Sequence, residues 1–176
     1  MTEHPSTAPN RARDSQRVAL YAAEDQVARI LDRSAEFPVV EVAGSRLTLP
    51  PERHFADLGS VQAYIDAVLA LRWVRDRWPQ TAGRAVTVRE RRSASRAHYE
   101  PDTATVALPL HRGNRAWALR ELVVLHEIAH HLGDPADVGH GAAFAGRLVE
   151  LLDGIVGPEA ALLMRVAMAD QGVAVA

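Results

Sequence analysis

The chain has 176 residues, of which 48% are hydrophobic and 24% charged, a globular composition with enough apolar material for one domain and a sizeable core. A formal net charge of -2 gives it no general attraction to nucleic acid or anionic membrane. It has no cysteine, which excludes disulfides and thiolate metal sites, so any metal must be held by His and carboxylate. The first ten residues are polar, unlike a signal peptide, and no apolar run is long enough to span a membrane, so a cytoplasmic location is expected.

Residues 1–10 are polar and contain Pro, and are expected to form a disordered arm. From Arg13 to about Arg33, Val18, Leu20, Tyr21, Val27, Ile30 and Leu31 recur at helical period and predict an amphipathic helix, ended by Phe37-Pro38. Val39–Val42 and Arg46–Leu49 flank Ala43-Gly44-Ser45 and predict a β-hairpin, closed by Pro50-Pro51. Asp57 or Ser60 can cap a second helix whose apolar positions run from Val61 through Ile65, Val68 and Leu71 to Val74, with its end at Trp78-Pro79. Ala85–Val88, Ala97–Tyr99 and Thr103–Leu108 are expected strands. Glu100-Pro101-Asp102 joins the last two as a turn, and Pro109 suits a sheet edge.

One long helix is expected from about Asn114 to Leu132, stopped by Gly133 and Pro135. A loop from Gly133 to Gly139 leads into a helix from about His140 to Leu152. Gly154 and Gly157-Pro158 separate that from a final helix ending near Asp170, and residues 171–176 are expected to be a flexible tail. The layout is α+β: one domain over residues 11–170, with a small antiparallel sheet and an all-helical C-terminal third.

The chemistry is concentrated at His126-Glu127-Ile128-Ala129-His130, the H-E-x-x-H pattern of zinc hydrolases. Residues four apart on a helix lie about 40° apart around its axis and roughly 6 Å apart along it, so both imidazoles can reach one metal ion. Glu127 is rotated roughly 100° from His126, beside the metal, where it can accept a proton from metal-bound water instead of coordinating. A catalytic zinc takes three protein ligands and keeps one position open. Three candidates compete for the third. His140 opens His140-Gly141-Ala142-Ala143-Phe144, where Gly141 would permit close approach to the motif helix and Phe144 would anchor the next helix in the core. Glu150 stands twenty positions after His130, a spacing used in thermolysin-like enzymes. Asp134 or Asp137 in the loop is the remaining choice, although Ala136 fills the slot where metzincins place a ligand.

Other residues have plainer readings beside the functional ones. Tyr99, His98 and His111 could donate to an oxyanion, but packing suits Tyr99 and surface positions suit the histidines. Arg84, Arg89, Arg91, Arg92 and Arg96 form a basic run with few interleaved aromatics, read as a solvated strand pair and loop rather than a nucleic-acid surface. Met164, Met168 and the tryptophans at 73, 78 and 117 sit in helical patterns and are read as core.

The combination His126-Glu127-Ile128-Ala129-His130 with His140-Gly141-x-x-Phe144 resembles the minimal zincin core of SprT-like and related small metallopeptidases, over about Thr103 to Leu152. The wider chain, including Arg13-Asp14-Ser15-Gln16-Arg17 and the run from Val18 to Glu24, is similar to a small actinobacterial family of HExxH metallohydrolases. The resemblance implies a zincin-like fold with Zn2+ held by His126, His130 and His140, and a peptide or protein substrate. It also implies that the strand Thr103–Leu108 is an edge above the motif helix, able to pair with an extended peptide. The expected function is therefore a zinc-dependent hydrolase, a metallopeptidase with Glu127 as general base. A non-catalytic, metal-stabilised binding or regulatory domain is the alternative.

Overall fold

The structure is a computed structural model and describes residues 14–92, 95–111, 113, 115–134 and 139–176. The arm at residues 1–10 and Asp137 lie outside the described residues. The first helix, α1 (Arg17–Ser34), puts Leu20, Ala23, Val27 and Leu31 on its buried face, the three-to-four spacing that makes an apolar stripe. The hairpin β1 (Val39–Val42) and β2 (Ser45–Thr48) pairs antiparallel, Val42 opposite Ser45. Its turn residues Ala43 and Gly44 both have positive φ, at 48° and 78°, the left-handed pair that matches the twist of two strands joined by a two-residue loop.

Helix α2 (Leu58–Ala70) begins with a capping box: Asp57 accepts from the Ser60 N–H, and the Ser60 hydroxyl accepts from the Asp57 N–H. The expected single helix to Trp78 is broken. Leu71 turns to φ -59° and ψ 133°, and α3 (Arg72–Arg77) restarts at once. The apolar periodicity continues through the break, so hydrophobicity alone gave no warning of it.

Three strands form the main sheet, in the order β3 (Thr87–Glu90), β5 (Thr105–Leu108), β4 (His98–Glu100). β3 runs parallel to β5, and β4 antiparallel to it, so this sheet is mixed whereas the hairpin is antiparallel. The expectation that Thr103–Leu108 is an edge is corrected: β5 is central and buried at all four residues, and β3 and β4 are the outer strands. A strand apolar on both faces suits that central place.

The long helix expected from Asn114 is also divided. α4 (Arg115–Ala118) is one turn, Arg120 is extended at φ -94° and ψ 145°, and α5 (Glu121–His131) carries the motif. Arg120 forms an isolated antiparallel bridge with His54, flanked by hydrogen bonds from Phe55 N–H to Leu119 O and from Glu121 N–H to Arg53 O. The start of α5 has no local side-chain cap. Glu52, distant in sequence, accepts from the Leu122 N–H at 3.1 Å, placing a carboxylate at the positive end of the helix. Glu52 and Asp32 also bind the buried Arg120 guanidinium.

The C-terminal part is helical: α6 (Ala142–Ile155) and α7 (Pro158–Asp170) pack on α5 and α1. The segment 171–176, expected to be flexible, is tied down. Val173 is buried and its N–H bonds to Met168 O, Ala174 N–H bonds to the Gln16 side chain, and Ala176 N–H bonds to Ala142 O. The core runs from Leu20 to Val173 and surrounds α5, whose Val124, Leu125, Ile128 and Ala129 are at most 1% exposed. No helix among the described residues is long and apolar enough to cross a membrane.

Candidate metal centre

His126 and His130 project from α5, and His140 comes from the loop residue two before α6. Their Nε2 atoms form an equilateral triangle, each 3.2 Å from the other two. Three nitrogens bound tetrahedrally to one zinc at about 2.0–2.1 Å would lie roughly 3.3 Å apart. Phe144, fully buried, packs against all three rings at centroid distances of 4.9, 4.3 and 5.0 Å. It anchors α6 as expected and fixes the rings from one side.

Two carboxylates set the tautomers. Glu24 Oε1 accepts from His126 Nδ1 at 2.7 Å, and Asp14 Oδ1 accepts from His140 Nδ1 at 2.8 Å and from the His140 backbone N–H at 2.9 Å. When the rings are neutral, their Nδ1 protons are spent on these carboxylates and the Nε2 lone pairs face one another across 3.2 Å, an arrangement that a cation between them satisfies. Burial alone would lower the pKa of His126, but the Glu24 carboxylate, by charge and hydrogen bond, and the charge of Glu127 together turn the net shift upward. His130 is pushed well down, first by burial and then by His126 and His140. His140 is lowered by burial and by His126, against the pull of Asp14. The donor set therefore fits a divalent metal ion.

Glu127 is 3% exposed, and burial pushes its carboxyl up to about 7 against the opposing influence of His126. A carboxylate that is poised near neutrality beside three convergent imidazoles can take up and return a proton. Tyr21, from α1, lies over the centre. Its ring stacks on His126 with centroids 5.5 Å apart and 14° between planes, and is 5.2 Å from His140. A groove of about 780 Å³ opens past Tyr21, Glu127 and the triad, with β4 residues His98 and Tyr99 on its wall.

The rivals for third ligand are elsewhere. Glu150 accepts from Arg77 Nε at 2.7 Å, tying α6 to α3, and Asp134 lines the groove without joining the triad. Gly141 is not needed for close approach, since a Cβ there would meet nothing within 4 Å. A second acidic group, Asp32, Glu52 and His54, already has its cation in Arg120.

Of the oxyanion candidates, Tyr99 is buried and its hydroxyl lies 2.8 Å from His131 Nδ1, which commits it to packing between β4 and α5. Burial pushes His131 down to about 4, so it is neutral there. His98 lies in the groove, and His111 does not line it. The basic run divides: Arg89 pairs with Glu100, while Arg84, Arg91 and Arg96 line the groove, so only part of the run is a plain solvated face.

Asp14, Tyr21 and Glu24 are site residues to which sequence reasoning gave no site role, and Arg96, read there as part of a solvated run, belongs with them. Glu24 had a signal. It falls on the apolar stripe of α1 between Leu20 and Val27, where an unpaired carboxylate would be costly. No protein-family model matches the chain, and no curated protein or solved structure is significantly similar to it.

Proposed function

We propose that this chain is a zinc-dependent hydrolase of zincin type that cleaves peptide or amide bonds. The observation that carries the reading is the 3.2 Å triangle of His126, His130 and His140 Nε2 atoms with buried Glu127 beside it. Zinc held there would supply Lewis acidity, lowering the pKa of a water and polarising a carbonyl oxygen. Glu127 takes the proton from the attacking water and returns it to the leaving amine. Glu24 and Asp14 hold the imidazoles in the tautomer that leaves Nε2 free. The outer edge of β4 carries no partner strand among the described residues, and an extended peptide added there would run along the groove past Glu127.

The test is metal content and hydrolysis of a mixed peptide pool by wild type and Glu127→Gln. Near-stoichiometric zinc is expected in both, with turnover reduced about 10²–10⁴-fold in the variant. Failure of the wild type to bind zinc when it is supplied, or full turnover by Glu127→Gln, overturns the reading. Zinc bound with no turnover of any peptide would leave the metal-stabilised binding domain as the function.

A further inference from the structure

Arg17, Arg91 and Arg96 line the groove that holds Glu127, and among the described residues none of them forms an ion pair with a carboxylate. Arg96 lies over Tyr21, its guanidinium carbon 4.1 Å from the ring centroid, and Arg17 approaches the same ring at 5.7 Å. Among the described residues the guanidinium groups of Arg17 and Arg96 donate to no protein acceptor, and Arg91 donates to the Arg96 carbonyl. Elsewhere Arg53, Arg77, Arg89 and Arg120 each pair with a carboxylate, while Arg75 and Arg115 donate to backbone carbonyls. Asp14, which lines the groove, is engaged with His140, and Glu24, behind Tyr21, with His126.

We propose that Arg17, Arg91 and Arg96 form a carboxylate-binding subsite beside the triad, and that the substrate is a peptide with an acidic side chain close to the bond that is cleaved. This rests on the hydrolase reading and adds the substrate class to it. Stacking on Tyr21 holds Arg96 by its face and leaves its N–H edge for a bidentate carboxylate. An acidic peptide suits the site better than a nucleic acid. Arg17 and Arg96 gather on one Tyr21 ring and Arg91 bonds the Arg96 carbonyl, while the fourth groove arginine, Arg84, donates to the Asp102 carbonyl. The Tyr21 ring is covered by Arg96 and His126.

The experiment uses zinc-loaded Glu127→Gln protein and three fluorescein-labelled probes: a short Asp/Glu-rich peptide, its Asn/Gln counterpart and a short single-stranded oligonucleotide. Anisotropy is expected to show the acidic peptide binding about tenfold tighter than its neutral counterpart. Adding Arg17→Gln or Arg96→Gln should abolish that difference while zinc content and melting temperature stay unchanged. Arg17 is exposed, so its variant decides the matter if Arg96→Gln loses its fold. Equal binding of the two peptides, or tighter binding of the oligonucleotide, overturns the proposal. Cleavage of the peptides by wild type is read separately. Cleavage without acidic preference rejects this subsite alone, and acidic preference without cleavage rejects the hydrolase reading and the substrate class with it, leaving the subsite as a binding site for acidic peptides.

Discussion

Glu24 Oε1 lies 2.7 Å from His126 Nδ1, so a carboxylate of the first helix orients the first histidine of the motif. The bond is buried, and it replaces water as the partner of the ring's outer nitrogen. Glu24→Gln keeps an acceptor but removes the charge that makes His126 a stronger donor. Zinc affinity is expected to fall about 10–100-fold in this variant and in Asp14→Asn, measured by competition with a chromophoric chelator. Unchanged affinity in both would show that α1 only covers the site.

Metal removal should reveal itself as lost stability. A metal that binds only the folded chain adds about 2.7 kcal/mol when present at a hundred times its dissociation constant, roughly 5–10 °C in melting temperature for a domain of this size. Zinc should raise the melting temperature of the wild type, EDTA should reverse it, and His126→Ala and His140→Ala should not respond. A response that persists in His140→Ala would move the third ligand to another residue.

Arg120 tests the framework behind the site. Its side chain is 9% exposed and binds Glu52, Asp32 and the Ala28 carbonyl, while Glu52 also holds the start of α5. Arg120→Ala leaves a buried carboxylate without its cation and is expected to cost about 3–5 kcal/mol, read as a lower urea midpoint. A cost near that of a surface substitution would mean that water reaches Glu52 readily.

Tyr99→Phe removes the hydroxyl that meets His131 Nδ1 at 2.8 Å. His131 Nε2 is already buried without a hydrogen-bond partner among the described residues, so the variant would strand both ring nitrogens. A loss of about 1–3 kcal/mol in stability is expected, with turnover largely retained, because the hydroxyl faces His131 and not the triad. A drop in turnover comparable to that of Glu127→Gln would restore Tyr99 as a participant in the reaction.

What the sequence displayed was local. The H-E-x-x-H spacing lies within one helix, and His140 follows a loop of known length, so those three histidines could be named before their geometry was seen. The capping box at Asp57 and Ser60 and the Ala43-Gly44 turn are similarly short-range. The misjudged features depend on partners far along the chain. The break before α5 exists because Arg120 pairs with His54 and reaches Glu52, and neither bond leaves a mark in the apolar periodicity of residues 114–132. The centrality of β5 depends on a parallel partner, β3, that precedes β4 in sequence. Glu24 stood in view as a charge on an apolar stripe, but its meaning required His126 opposite it.

The bonds from Glu24 to His126 and from Asp14 to His140 close loops of 102 and 126 residues. Contacts of such separation form only after the chain entropy between them has been overcome. The Nδ1 partners of His126 and His140 are in place only when residues 14–24 have docked against the site. The orientation of the centre therefore depends on long-range docking, and a chain in which residues 14–24 are displaced holds His126 and His140 without the acceptors that fix their Nδ1 protons.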